Sequence, residues 1–132
     1  MIPQVSDSEL ELMQIVWDCG GRALYAQIMA ALTAAGRSWQ KNTVITLLSR
    51  LVDKGMLKTS KIGRRNEYAA LVSRADYQAA QTQALVGKLY AGSAKGLVAA
   101  LIEGQAISAQ EFEELRSFWV SLLPWDAFCA VQ

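Results

Sequence analysis

Trp39-Gln40-Lys41-Asn42-Thr43-Val44-Ile45-Thr46-Leu47-Leu48-Ser49-Arg50-Leu51-Val52-Asp53-Lys54-Gly55 is the stretch from which the fold can be read. Val44, Leu47, Leu48 and Leu51 recur at i, i+3, i+4 and i+7. That is the apolar stripe of one helix, running from about Gln40 to Lys54 and stopped by Gly55. A step of about 100° per residue puts Asn42, Thr46 and Ser49 opposite the stripe. Thr43 and Arg50 then lie on one flank of the polar face, Ile45 on the other, and Lys41 in the first turn. Such a face is either an ordinary solvated surface or one that reads DNA, and polarity alone does not separate the two. The residue types suit the major groove. Asn pairs bidentately with adenine, Thr and Ile meet thymine methyls, and recognition helices read bases near their N-terminal end.

The residues that follow favour DNA. Leu57 to Lys61 and Asn66 to Leu71 read as two short strands around Ile62-Gly63-Arg64-Arg65, a hairpin with glycine in its loop. Charges on an edge strand block pairing with another chain. Two adjacent arginines at a loop tip exceed that task and suit phosphates or a narrow minor groove. Residues 37–67 carry Arg37, Lys41, Arg50, Lys54, Lys58, Lys61, Arg64 and Arg65 against Asp53 and Glu67, a net +6. Residues 1–36 come to −3 and residues 68–132 to −2. A short basic block inside a folded domain is the electrostatic footprint of a phosphate-backbone site. The candidate DNA-binding residues are therefore Lys41, Asn42, Thr43, Ile45, Thr46, Ser49 and Arg50 on the helix, with Lys61, Arg64 and Arg65 on the hairpin.

Upstream, Ser6-Asp7-Ser8-Glu9 is a capping box that opens a helix with Leu10, Met13, Val16 and Trp17 at helical spacing, ended by Gly20-Gly21. Leu24, Ile28, Ala31 and Leu32 mark a second helix ended by Gly36. The first part of the chain, over 1–72, is therefore three helices and a hairpin in about 70 residues. Downstream, Ser73 caps a helix to about Tyr90 and Ser93 starts another. Ser108-Ala109-Gln110-Glu111 is a second capping box, and Pro124 ends the last helix. The class is mostly α with a small β-hairpin. Residues 73–132 are helical but few for a domain of their own, and their large apolar residues need a partner. Leu85, Leu89, Leu97, Leu101, Phe112 and Leu115 are the candidate dimerisation residues, most simply across a two-fold axis.

Composition narrows the function. Of 132 residues, 52% are hydrophobic and 19% charged, which excludes disorder by composition. Histidine is absent, and with it the commonest general base and the usual zinc ligand. Cys19 and Cys129 are too few and too far apart for a metal knuckle and read as reduced thiols of a cytoplasmic protein. No triad, phosphate loop or ligand cluster points to an enzyme, a cofactor or a metal. The N-terminus fits neither a secretory nor a transit signal, and no apolar run approaches the ~20 residues of a membrane span.

Ser8-Glu9-Leu10-Glu11-Leu12-Met13-Gln14-Ile15-Val16-Trp17 resembles the opening helix of the penicillinase repressor family, the BlaI/MecI group. Within the opening stretch, Thr43-Val44-Ile45-Thr46-Leu47-Leu48-Ser49-Arg50-Leu51 and Lys54-Gly55 resemble that family's recognition helix. Leu89-Tyr90-Ala91-Gly92-Ser93 and residues 107–116 resemble its dimerisation segment. The resemblance covers about residues 6–120. It implies a winged helix-turn-helix DNA-binding domain over 1–72, a helical dimerisation region over 73–132, and a homodimeric repressor of a palindromic operator, released by a sensor protease or another inducer, often at β-lactam or metal-resistance genes. Three positions depart from the family. Lys41-Asn42-Thr43 stands where Pro-Lys-Thr is frequent, and Ile45 where a polar or basic residue is. Ala100-Leu101 replaces the Asn-Phe pair that is cleaved on induction in the best-known members. Cys129 stands alone where the copper-responsive branch has a cysteine cluster. Two rival readings use the same fold: a winged-helix protein-interaction module, which predicts a neutral third-helix face, and a regulator binding a small ligand between its domains.

Overall fold

Ser6 and Glu9 close the first helix from both sides. Ser6 Oγ accepts from the Glu9 N–H at 3.2 Å, and Glu9 Oε1 accepts from the Ser6 N–H at 2.9 Å. In the computed structural model, which describes residues 2–122, the order is α1 (Asp7–Asp18), β1 (Arg22–Leu24), α2 (Tyr25–Ala34), α3 (Lys41–Asp53), β2 (Leu57–Ile62), β3 (Arg65–Ala70), α4 (Arg74–Leu89), α5 (Ala94–Glu103) and α6 (Ala109–Leu122). Pro124, Trp125 and Cys129 lie outside the described residues, and with them the expected end of the last helix. The chain divides into two compact units, one up to Gln83 and one from Ala84.

In the first unit, α3 buries the stripe read from the sequence: Val44, Leu47, Leu48 and Leu51. Against it pack Leu12, Met13 and Val16 from α1, Ile28 and Leu32 from α2, and Met56, Leu57 and Tyr68 around the sheet. The hairpin has the register Leu57↔Ala70 through Ile62↔Arg65, so Gly63-Arg64 is a two-residue loop. Gly63 takes φ +64°, a conformation open to glycine at little cost. A third strand was not anticipated. β1 pairs antiparallel with β3 in the order β1-β3-β2, Ala23 opposite Tyr68, and Ala23 is buried. Three residues carry no readable alternation, and the partner lies over forty residues away. Leu24, expected within the second helix, ends this strand and precedes the first turn of α2.

A buried ion pair ties α1 to the end of α3. Glu9, with only 3% of its side chain exposed, accepts from Lys54 Nζ at 2.8 Å. Burial pushes the Glu9 carboxyl up. The contacts with Lys54 and Ser6 together outweigh it, so its pKa falls below the ordinary 4.5.

The first unit extends past residue 72 because α4 starts on it. Tyr77 is buried, its hydroxyl accepting from the Val5 N–H at 3.2 Å. Trp17 Nε1 donates to the Val72 carbonyl at 2.9 Å, and Arg74 pairs with Asp18 while lying over the Trp17 ring. In the second unit, Ser93 caps α5, and Ser108 with Glu111 forms the expected box on α6. Neither α5 nor α6 has a buried residue. Leu85, Leu89, Leu101, Phe112 and Leu115 are exposed, and Leu97 is half-buried.

Candidate nucleic-acid interface

Every candidate DNA-binding residue is exposed: Lys41, Asn42, Thr43, Ile45, Thr46, Ser49 and Arg50 on α3, and Lys61, Arg64 and Arg65 on the hairpin. The geometry sorts the helix residues. Asn42, Thr43, Thr46 and Arg50, with the edge of Leu47, line one shallow concavity. Ile45 and Ser49 are exposed but do not line it. The Thr46 hydroxyl donates to the Asn42 carbonyl one turn back, at 2.8 Å. Its proton is thus engaged within the helix, and what Thr46 offers outward is a methyl group and acceptor lone pairs.

Ion pairing divides the basic block in two. Arg37 pairs with Glu11, and Lys54 with Glu9, so both cations hold α1 to the rest of the unit. Arg37 also lies over the Trp39 ring at 5.8 Å, in the turn leading into α3. Lys41, Arg50, Lys58, Lys61, Arg64 and Arg65 make no ion pair among the described residues. All six lie on α3 or the hairpin. The charge count alone could not tell the structural cations from the free ones.

A second concavity, of about 420 Å³, runs between the start of α2 and the hairpin tip. Leu24, Tyr25 and Ala26 line one side, and Arg64, Arg65 and Asn66 the other. Burial, with the nearby Tyr68, pushes the Tyr25 phenol up, so it stays a neutral donor. Leu24 has no side-chain oxygen with which to cap α2, while Gln27 Oε1 accepts from the Leu24 N–H at 2.7 Å. The positive end of the α2 dipole and two arginines therefore bound one groove, a setting that suits an anion. Sequence reasoning missed Tyr25 and Asn66 here. Their juxtaposition depends on β1 pairing with β3, which no local pattern signals.

The described residues include no cluster of three metal-ligating side chains, and no single helix among them is long and apolar enough to cross a membrane.

The model of the penicillinase repressor family matches residues 5–120. The chain belongs to the penicillinase repressor family. By that membership it is a DNA-binding transcriptional repressor and not an enzyme. It is 38% identical over 114 residues to an uncharacterized 16.5 kDa protein of Latilactobacillus sakei, spanning 86% of this chain and 76% of that one. It is 29% identical over 114 residues to the penicillinase repressor of Bacillus licheniformis, with 86% and 88% of the two chains covered. Among solved structures, the DNA-binding domain of the repressor BlaI matches with a TM-score of 0.51 and 34% identity, over 58% of this chain and 92% of that one. The monomeric form of Bacillus licheniformis BlaI in complex with the blaP half-operator matches with a TM-score of 0.50, again at 34% identity and with the same coverage. The likeness to these domains is to a winged-helix fold. Ala100 and Leu101, the pair expected where the best-known members have Asn-Phe, lie inside α5.

Proposed function

We propose that this repressor binds a palindromic operator as a homodimer, with the N-terminal half of α3 in the major groove and the β2–β3 hairpin on the sugar-phosphate backbone. The observation that carries this reading is the placement of the unpaired cations. The two basic residues of the block that hold α1 are neutralised, and the six without an ion pair among the described residues mark one helix and one wing. A protein-interaction winged helix predicts a neutral third-helix face, and these charges weigh against it. Asn42 reads adenine, while Ile45 or Thr46 meets a thymine methyl. Lys41, Thr43, Ser49 and Arg50 flank these contacts, and Lys61, Arg64 and Arg65 hold the backbone. Asn42 where the family often has Lys changes the groups offered, so the operator differs from that of the named relatives at the base pair it faces. The dimer is built from the second unit, where Leu85, Leu89, Leu97, Leu101, Phe112 and Leu115 find their cover on the same helices of another copy. The protein works in the cytoplasm, where its DNA is. The relatives' names tie them to penicillinase and methicillin resistance; the gene regulated here is identified by mapping bound genomic fragments.

The test is Asn42→Ala. Against a duplex selected by the intact chain, affinity should fall by about 1–3 kcal/mol per half-site, as for any lost bidentate base contact. Against random DNA it should hardly change, because that binding is phosphate attraction. Equal losses on both duplexes would make Asn42 a backbone contact.

A further inference from the structure

The tip of the hairpin carries an apolar side chain that the fold does not use. Ile62 is 52% exposed, at the end of a strand whose residues past Leu57 are all exposed. β1 stops at the pair Leu24↔Glu67, so the rungs Lys61↔Asn66 and Ile62↔Arg65 project beyond the third strand. Nothing there has a core to serve. Strand propensity does not demand isoleucine either, since threonine, equally β-branched, suits an exposed strand and is well hydrated. The immediate neighbours are Lys61, Arg64 and Arg65, none in an ion pair among the described residues. An apolar group with Lys61 beside it in the strand, Arg65 across the ladder and Arg64 in the loop complements one surface in particular. The DNA minor groove has anionic walls and a floor and sugars that are apolar in part.

We infer that Ile62 is a minor-groove contact: the wing tip enters the groove beside each half-site, the cations hold the two phosphate walls, and Ile62 packs against the sugars and the groove floor. This rests on the reading that the hairpin lies on DNA. The contact has a sequence consequence. A guanine projects its 2-amino group from the floor, where A·T pairs project nothing, so Ile62 descends only where that amino group is absent. The wing then contributes a preference for A·T-type steps, through shape, besides its electrostatic affinity.

The experiment uses the intact chain and a duplex it has selected from random DNA, remade with either G·C or inosine·C pairs at the steps facing the wing. Inosine lacks the 2-amino group and keeps the major-groove acceptors of guanine. The wild type should bind the inosine duplex several-fold more tightly than the G·C one. Ile62→Thr should bind the inosine duplex about fivefold to tenfold more weakly than the wild type. It should lose the inosine preference and keep the salt dependence. Arg64→Ala with Arg65→Ala should do the reverse, lowering the log–log salt slope by about 0.9 per lost phosphate contact. If Ile62→Thr keeps its affinity, or loses affinity with the inosine preference intact, the minor-groove role of Ile62 is overturned while the wing stays on the DNA. If the arginine pair leaves the slope unchanged, the hairpin is not on DNA and both readings fall. Because Ile62 is exposed, a thermal melt should show Ile62→Thr as stable as the wild type.

Discussion

Thr46 shows how one hydrogen bond narrows what a residue can read. Its hydroxyl proton is held by the Asn42 carbonyl at 2.8 Å, which leaves the methyl group as its distinctive outward feature. Thr46→Val keeps that methyl and should bind the selected duplex within about twofold of the wild type, whereas Thr46→Ser keeps the hydroxyl and should lose about 1 kcal/mol, the worth of roughly one buried methyl. Competition binding checks both; the opposite ranking would mean the hydroxyl turns away from Asn42 to meet DNA. At this scale the sequence was most informative where side-chain direction follows from helical period. Helical period puts Asn42, Thr46 and Ser49 opposite Val44, Leu47, Leu48 and Leu51, with Thr43 and Arg50 on a flank; of these five, all but Ser49 line one concavity. The sequence was silent where pairing is distant: nothing local distinguishes Lys54, which holds Glu9, from Lys58, which holds nothing among the described residues.

Among elements, α1 and α3 are joined by a link with a defined pH response. The Glu9 carboxyl is depressed in the folded state, so its stabilisation is present above 4.5, the value the unfolded chain titrates at, and is lost as pH falls through the folded value. Denaturant melts taken from neutral pH down to about pH 3 should therefore show stability dropping on the acid side. Glu9→Gln should flatten that limb and cost about 1–3 kcal/mol at neutral pH, since Lys54 and the Ser6 N–H lose their charged acceptor. An acid limb of unchanged steepness would place the titration elsewhere. The capping boxes at Ser6 and Ser108 were legible because both partners lie within four residues of each other. β1 was not, because Arg22-Ala23-Leu24 becomes a strand only when Glu67 to Ala69 is beside it. The groove between Tyr25 and Arg64 was hidden for the same reason.

For the whole molecule, the apolar side chains of α5 and α6 argue for assembly. Leu101, Phe112 and Leu115 stay exposed in one chain. Sedimentation of the intact protein at micromolar concentration should give a dimer. Leu101→Glu should give a monomer whose circular dichroism still shows a folded winged helix, because a charge desolvated without a partner costs about 3–5 kcal/mol. A wild-type monomer would remove the two-fold arrangement. The periodicity of residues 73–122 showed that these helices have apolar faces, but a single sequence does not say which surface covers them. The most direct measurement is selection of bound fragments from random DNA by the intact chain, at fixed salt. The account predicts an enriched palindrome whose half-sites lie on one face of the duplex, about one helical turn or a small multiple apart, with an adenine whose replacement matters to the wild type and not to Asn42→Ala. Recovery of no common sequence, or of a single site without two-fold symmetry, would contradict it.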